Sequence, residues 1–487
     1  MHDVLNTIIR ERELLVSRNG AQYGKPIPTH RACPIAAFPA KAPFCIAEIK
    51  HGSPSQGMFK SLDVAATVAH YIFGGASCIS VVTEPTHFFG DITDIMHIKT
   101  LFPGIPVLRK DFLTEPDDID VSYRAGADAV LLIAALFMPL PDGLQRLRSL
   151  FAKVCAYNMT PVVEIHSIEE LAFIESLHAP VIGINARNLD TMTIDRVHAV
   201  SLLPQVPPNT TVLFESGIRN YDDAFTAAAS GFSGVLVGTS LLCSNDIPSH
   251  MQSIMQGLRN GAFHPTDFYP HIAARFLSAK FPFIKICGIT NADDAKAALS
   301  YNVDCLGLIL TESPRKITES DARAIRAATG KHALLIGVIR REDYPLGERL
   351  VKSGIIDALQ IHGLTQDDDY SFIRVPWFEA VACDSPSVSD VFFRIYDAHT
   401  HERKADTPID RRAVASIIAH ERFPCIAGGI TPETVDEFLH DHVAMIDVCS
   451  GVESSPGKKS HERMKSFMAK IHTQRFTTRK EQNHATS

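Results

Sequence analysis

Short apolar runs rich in β-branched residues, each followed by a helix-like stretch, recur eight times in the first half of the chain and eight times again in the second. The first series is FCIAEIK (44–50), CISVVT (78–83), IPVLRK (105–110), ADAVLLI (127–133), TPVVEI (160–165), VIGIN (181–185), TVLFES (211–216) and GVLVG (234–238). Stretches such as LDVAATVAHYIFGG and SIEELAFIESL lie between them. Strands apolar along their whole length suit a parallel sheet covered on both faces, and helical crossovers between them make βα units. Eight such units in about 250 residues are the content of a closed (β/α)8 barrel. An open doubly wound sheet has no reason for eight strands and more often shows a Gly-rich first turn.

The pattern lapses over residues 257–281, GLRNGAFHPTDFYPHIAARFLSAKF, which reads as a connector carrying one helix. The second series then runs PFIKIC (282–287), CLGLIL (305–310), ALLIGV (333–338), ALQIHG (358–363), FEAVAC (378–383), VFFRIYD (391–397), PCIAGG (424–429) and AMIDVCS (444–450). The fold expected is therefore α/β, two tandem (β/α)8 TIM barrels. Their boundaries are expected at 1–257 for the first barrel, 258–281 for the linker, 282–473 for the second barrel and 474–487 for a polar, fraying tail.

Composition excludes several classes. Of the 487 residues 45% are hydrophobic and 21% charged, as in an ordinary soluble domain protein, and 487 residues exceed a single core. A net charge of −8 gives no reason to expect nucleic-acid binding, yet local donors can still hold an anionic substrate. The longest apolar stretch, 129–140, is about half the roughly 20 residues a membrane span needs. The N-terminal MHDVLNTIIRERELLV reads as an amphipathic helix rather than a signal sequence. Ten cysteines without CxxC spacing, mostly inside apolar runs, fit reduced thiols in the cytoplasm.

In such barrels the C-terminal ends of the strands face the active site. In the first half those positions hold Glu48, Lys50 and Ser53, then Lys110, Glu164, Asn185 with Arg187, Glu215 with Ser216 and Gly217, and Gly238 with Thr239 and Ser240. Any one such charge is more often a structural ion pair. Two lysines and three glutamates at one mouth instead read as a preorganised acid–base site, because charges at the ends of apolar strands are costly to bury unpaired. The glycines of ESGI and GTSLL let backbone N–H groups approach a ligand where this fold usually binds phosphate.

The motifs AEIKHGSPSQG, LRKDF, VVEIHS, GINARNL, FESGI and VLVGTSLL resemble, in order, the strand-end motifs of indole-3-glycerol-phosphate synthase, over residues 1–257. The resemblance implies ring closure, decarboxylation and dehydration of a carboxyphenylamino-deoxyribulose phosphate, a carbon–carbon lyase reaction without cofactor or metal. It implies that Lys110 is the general acid in ring closure and that Glu164 acts as acid or base in dehydration. Lys50 competes for one of those transfers. Glu48 and Asn185 would orient the substrate and the lysines, Glu215 would support them, Ser53, Gly217, Gly238 and Thr239 would hold the phosphate, and Arg187 and Ser216 would also bind substrate.

In the second half KICGIT, SPRKIT, LQIHG, AGGI and DVCSGVESSPGKK resemble phosphoribosylanthranilate isomerase, over roughly 282–470. By that likeness Cys287 is the base taking the sugar C2 proton and Asp397 the acid opening the furanose ring. Gly428, Gly429, Ser450 and Gly451 would bind phosphate, and Arg315 the anthranilate end. The product of this isomerisation is the substrate of the first barrel, so the two activities cohere in one chain. Two departures stand out: DAHTHERKADTPID (397–410) lacks the family's glycine-rich loop, and WFEAV lacks its lysine. They define the alternative, synthase activity alone with the second barrel a binding or structural module.

Other near-motifs carry less. Asp397, His399 and His401 form a DxHxH run such as metal-dependent hydrolase barrels use, but no further ligands stand at later strand ends, and metal is not expected. GVESSPGKK has five residues between its glycines, and Lys459 stands where Ser or Thr should follow, unlike a phosphate-binding P-loop. No GxGxxG follows a strand. His362 reads as a hydrogen-bonded strand-end residue. The expected partners are phosphorylated small molecules, with no nucleic acid or membrane, and two barrels packed on each other in a monomer.

Overall fold

The computed structural model of the chain describes residues 3–53, 57–59, 62–188, 191–277, 282–364, 370–382, 391–397, 411–421, 423–439 and 443–484. Two compact units emerge, Met1–Pro265 and Thr266–Ser487.

In the first unit the helix α1 (Asp3–Asn19) precedes eight parallel strands: β1 (Phe44–Ile49), β2 (Cys78–Val82), β3 (Val107–Lys110), β4 (Ala129–Ile133), β5 (Thr160–Ile165), β6 (Val181–Asn185), β7 (Thr211–Glu215) and β8 (Gly234–Val237). They form a closed barrel, with β8 returning to β1 in the register Phe44↔Gly234 through Ala47↔Val237. Every residue of β1, β2, β4, β6 and β8 is buried, as their unbroken apolar character requires of strands covered on both faces.

The second unit repeats the architecture with β9 (Phe283–Cys287), β10 (Cys305–Ile309), β11 (Leu334–Arg340), β12 (Ala358–His362), β13 (Trp377–Ala382), β14 (Arg394–Asp397), β15 (Cys425–Ala427) and β16 (Met445–Val448). These also close into a parallel barrel, in sequence order around the ring. All sixteen apolar runs therefore hold a barrel strand, and the two-barrel α/β fold is as expected.

The stretch read as a connector contains the end of the helix Ile247–Phe263 and the whole helix Phe268–Leu277. The latter buries Phe268, Tyr269, Ile272 and Phe276. Its Tyr269 hydroxyl accepts from Trp377 N at 2.9 Å and donates to Trp377 O at 3.1 Å, capping the start of β13. The last helix runs His461–His484 and buries Met464, Phe467, Met468 and Ile471 in the second core. Among the described residues no helix is long and apolar enough to cross a membrane. His399 and His401, with most of the DAHTHERK segment, lie outside the described residues.

Candidate active sites at the two barrel mouths

At the C-terminal end of the first barrel lies a cavity of about 540 Å³. Glu48, Lys50, Ser53, Lys110, Glu164, Asn185, Arg187, Ser216, Gly217, Gly238 and Thr239 all line it, as do Leu5 and Ile8 of α1. Glu215 lies behind this surface, fully buried. All the residues expected at this site are thus brought together.

Lys110 is the hub. Its Nζ is 2.6 Å from Glu215 Oε2, 3.7 Å from Glu164 Oε2 and 4.0 Å from Glu48 Oε2. Burial opposes its charge, but the three carboxylates outweigh burial and hold it as an ammonium above its ordinary range. Lys50 Nζ sits 2.9 Å from Glu48 Oε1, so Glu48 bridges the two lysines. Asn185 Nδ2 donates to Glu164 Oε1 at 3.2 Å, while its own Oδ1 accepts from Arg187 N at 3.0 Å.

The carboxylates do not titrate alike. Burial pushes Glu215 upward, and the nearby charge of Glu164 adds to that push despite the contact with Lys110. Burial acts on Glu164 too, but Lys110, His166 and Asn185 together hold it below the usual carboxylate range. Glu164 Oε2, buried and facing Lys110, has no hydrogen-bond partner among the described residues. The site therefore keeps an ionised carboxylate beside a fixed ammonium.

His166 was not singled out from sequence, although it stands two residues beyond Glu164 in VVEIHS. Its Nε2 is 3.2 Å from Glu164 Oε1 and its Nδ1 is 3.2 Å from Glu170 Oε2. Ser167 caps the following helix by accepting from Glu170 N at 3.2 Å, which sets Glu170 against the histidine. Spacing of two along a strand end places side chains on one face, and that was the signal available.

A second unforeseen group fixes Lys110 from behind. Arg12 of α1 is 2% exposed and donates to Asp118 at 2.6 Å and to Asp111 at 3.3 Å. Asp111 also accepts from Tyr23, Thr83 and Arg109 at 2.8, 2.6 and 2.9 Å. The residue after Lys110 is therefore locked into a network that includes the N-terminal helix.

Opposite the lysines, Ser216 and Gly217 both take positive φ, 67° and 86°, turning the chain sharply after β7. Ser240 Oγ donates to Ile218 O at 3.0 Å and ties this turn to the one after β8. A Cβ on Gly238 would lie 2.4 Å from Glu48 Oε1, so only glycine leaves the carboxylate room.

The second barrel places its expected residues around the same end. Cys287 and Asp397 close β9 and β14. Gly428 and Gly429 follow β15 with φ of 90° and 64°, and Ser450 and Gly451 form a turn after β16. A Cβ on Gly451 would lie 1.9 Å from Ile430 O, so the two turns are in direct contact. Arg315 is forked onto Glu453, with Nε at 2.9 Å from Oε1 and Nη2 at 2.9 Å from Oε2. The GVESSPGKK run folds as a hairpin, Glu453–Ser455 with Lys458–Lys459. His362 Nε2 lies 2.9 Å from Gln360 Nε2, and Lys285 inside the barrel pairs with Asp447 at 2.5 Å.

With this geometry in place, comparison with known proteins decides the family. Residues 30–254 match the family described as indole-3-glycerol phosphate synthase, and residues 284–470 match N-(5'phosphoribosyl)anthranilate isomerase. The indole-3-glycerol phosphate synthase of Mycolicibacterium gilvum is 38% identical over 234 residues, covering 48% of this chain and 82% of that protein. The chain belongs to the indole-3-glycerol phosphate synthase family. It carries the synthase and isomerase domains in tandem. The "Tryptophan biosynthesis protein TrpCF" of Vibrio parahaemolyticus is 27% identical, covering 96% of this chain and 93% of its own. The "Multifunctional tryptophan biosynthesis protein" of Schizosaccharomyces pombe is 28% identical over 88% of this chain, which spans 59% of that relative's length.

Proposed function

We propose that the chain catalyses two consecutive steps of tryptophan biosynthesis in the cytoplasm. The second barrel isomerises N-(5-phosphoribosyl)anthranilate to 1-(2-carboxyphenylamino)-1-deoxyribulose 5-phosphate. The first barrel cyclises, decarboxylates and dehydrates that product to indole-3-glycerol phosphate. The observation that carries the reading is Lys110, held as an ammonium by three carboxylates at the base of a cavity rimmed by glycine turns.

In this reading the Lys110 ammonium donates to the carbonyl oxygen as the aromatic carbon attacks. An alkoxide is a stronger base than any lysine amine, so even a raised lysine transfers its proton downhill. Glu164, held ionised beside Lys110, serves as the base in the dehydration, and Lys50 supplies the second acid. The turns at Ser216–Gly217 and Gly238–Thr239 take the phosphate, with Ser53 across the mouth. Asn185, Arg187, Glu48 and Glu215 hold the acid–base groups and the substrate in register. In the second barrel Cys287 takes the C2 proton, Asp397 protonates the ring oxygen, and Gly428, Gly429, Ser450 and Gly451 hold the phosphate. Arg315 meets the anthranilate carboxylate.

The test assays both reactions on the full chain and on Lys110→Ala and Cys287→Ser. The isomerase substrate is made in place from anthranilate and phosphoribosyl pyrophosphate with a coupling transferase. Each variant is expected to lose about 10²–10⁴-fold in its own reaction only. Absence of isomerase turnover in the wild type would leave the second barrel a binding module.

A further inference from the structure

The base proposed for the second barrel is not alone. Strands β9 and β16 are hydrogen-bonded neighbours whose register ends at Ile286↔Val448, so the next residues, Cys287 and Cys449, stand side by side. Adjacent strands lie about 4.8 Å apart, which brings two cysteine side chains on one face into contact. The two thiols thus face each other, and each responds to the other's charge. Each occupies a slot kept open by glycine. A Cβ on Gly288 would lie 2.9 Å from Cys449 Sγ, and one on Gly307 would lie 2.7 Å from Cys287 Sγ.

We propose that Cys287 and Cys449 share one proton, and that Cys449 is the positioning residue that sets the ionisation of Cys287. The charges around the pair are uneven. Lys459 Nζ is 4.0 Å from Cys449 Sγ and 3.1 Å from its carbonyl oxygen, and Arg315 faces the same thiol. Glu453 offsets part of that charge, since it binds both Arg315 and Lys459. Cys287 faces Lys285, whose ammonium is already committed to Asp447, and Lys285 also faces the buried Cys305 of β10. The negative charge of a singly ionised pair thus rests at Cys449 and the proton at Cys287. Consistent with this, the neighbouring Cys449 and burial push Cys287 up, while Cys287, Lys459 and Arg315 bring Cys449 below an ordinary thiol.

The catalytic consequence rests on the isomerase reading; the shared proton does not. Transfer of the Cys287 proton to the Cys449 sulfur leaves a thiolate at Cys287 without any external base. That thiolate then takes the substrate C2 proton, and both thiols end protonated. Two interacting sites of this kind titrate as a pair.

The experiment follows ultraviolet thiolate absorbance against pH for the ligand-free full chain, Cys449→Ser and Cys287→Ser, beside the pH dependence of isomerase kcat/KM. Serine keeps a polar group of similar size at the position but does not ionise in this range. The expected result is a first ionisation in the wild type that Cys449→Ser removes, leaving Cys287 to ionise about 1 unit or more higher. The acid limb of kcat/KM moves up by the same amount. The proposal is overturned if the titration of the remaining thiol is the same with and without its partner, or if the limb stays in place. Paired titration in a chain without isomerase turnover would retain the shared proton and reject the isomerase reading, so the two failures are distinguishable.

Discussion

His166 Nε2 stands 3.2 Å from Glu164 Oε1 in a site from which solvent is largely excluded. Burial disfavours its charge, but Glu164 and Glu170 outweigh this and raise its pKa from 6.5 to about 10, making it an imidazolium at neutral pH. A cation there keeps Glu164 ionised from the Oε1 side, while Lys110 faces Oε2. Arrangement of this kind separates the group that sets the protonation state from the group that uses it.

The linkage has a defined sign. A histidine whose folded pKa is raised contributes its full stability below pH 6.5 and loses it as the pH rises through about 10. His166→Gln is expected to cost about 1.5–3 kcal/mol under mildly acidic conditions, the size of a charge-assisted hydrogen bond. Denaturant melts of the two proteins should converge as the solution is made alkaline. A difference independent of pH would mean that the ring is neutral. The same variant should shift the acid limb of synthase kcat/KM upward, because Glu164 has lost a cation.

Arg12 gives a prediction about the N-terminal helix. Arg12→Met leaves Asp111 and Asp118 buried with one cation fewer, a change that costs about 3–5 kcal/mol when a buried pair is broken. Leu5 and Ile8 of the same helix line the cavity, so synthase KM should rise while isomerase kinetics stay unchanged. Asp111 sharpens the test. Burial opposes its charge, but Arg12 and Arg109 lower its pKa from 3.8 to about 2, so its contribution is present above pH 3.8 and is lost as pH falls through about 2. The acid-unfolding midpoint of Arg12→Met should therefore lie at higher pH than that of the wild type.

The sequence made the barrels legible because a doubly covered parallel strand has no polar positions to interrupt its apolar run, and sixteen such runs leave few alternatives. Lys110, Glu164 and Glu215 were readable for the same reason: each is a charge at the end of such a run, where the fold rule supplies the direction. Arg12 was not, since its partners Asp111 and Asp118 lie 99 and 106 residues away and only packing joins them. Nor was the fork of Arg315 on Glu453, 138 residues apart. Cys449 sat in a quoted motif but had no meaning until strand closure placed β16 beside β9. The glycine-poor segment after Asp397 remains a statement about sequence, since it lies outside the described residues.

Gly238 tests the support of the lysines from the opposite side. Its φ of −123° lies outside the left-handed region that favours glycine, and the direct change that alanine brings is a methyl group. That methyl would stand 2.4 Å from Glu48 Oε1 and 3.2 Å from Lys50 Nζ, and Glu48 must move. A displacement of about 1 Å in a positioning group costs roughly 100-fold in rate. Gly238→Ala should lower synthase kcat by about that factor with little change in thermal stability. Unchanged kcat with raised KM would assign the position to phosphate binding alone.

Arg315 and Glu453 give the sharpest test of the second barrel. The fork uses Nε and Nη2, the edge that would meet a substrate carboxylate bidentately. If Arg315 binds the anthranilate end, Glu453 competes with substrate for it. Glu453→Gln is then expected to lower isomerase KM, because a neutral amide holds the guanidinium less firmly, while Arg315→Lys should raise KM about tenfold by losing the planar fork. If Arg315 serves only to anchor the hairpin Glu453–Ser455 with Lys458–Lys459, both substitutions loosen the same contact and KM moves in one direction for both. Steady-state kinetics on the two variants decide between these outcomes, since opposite signs of the KM change require competition between Glu453 and the substrate for one arginine.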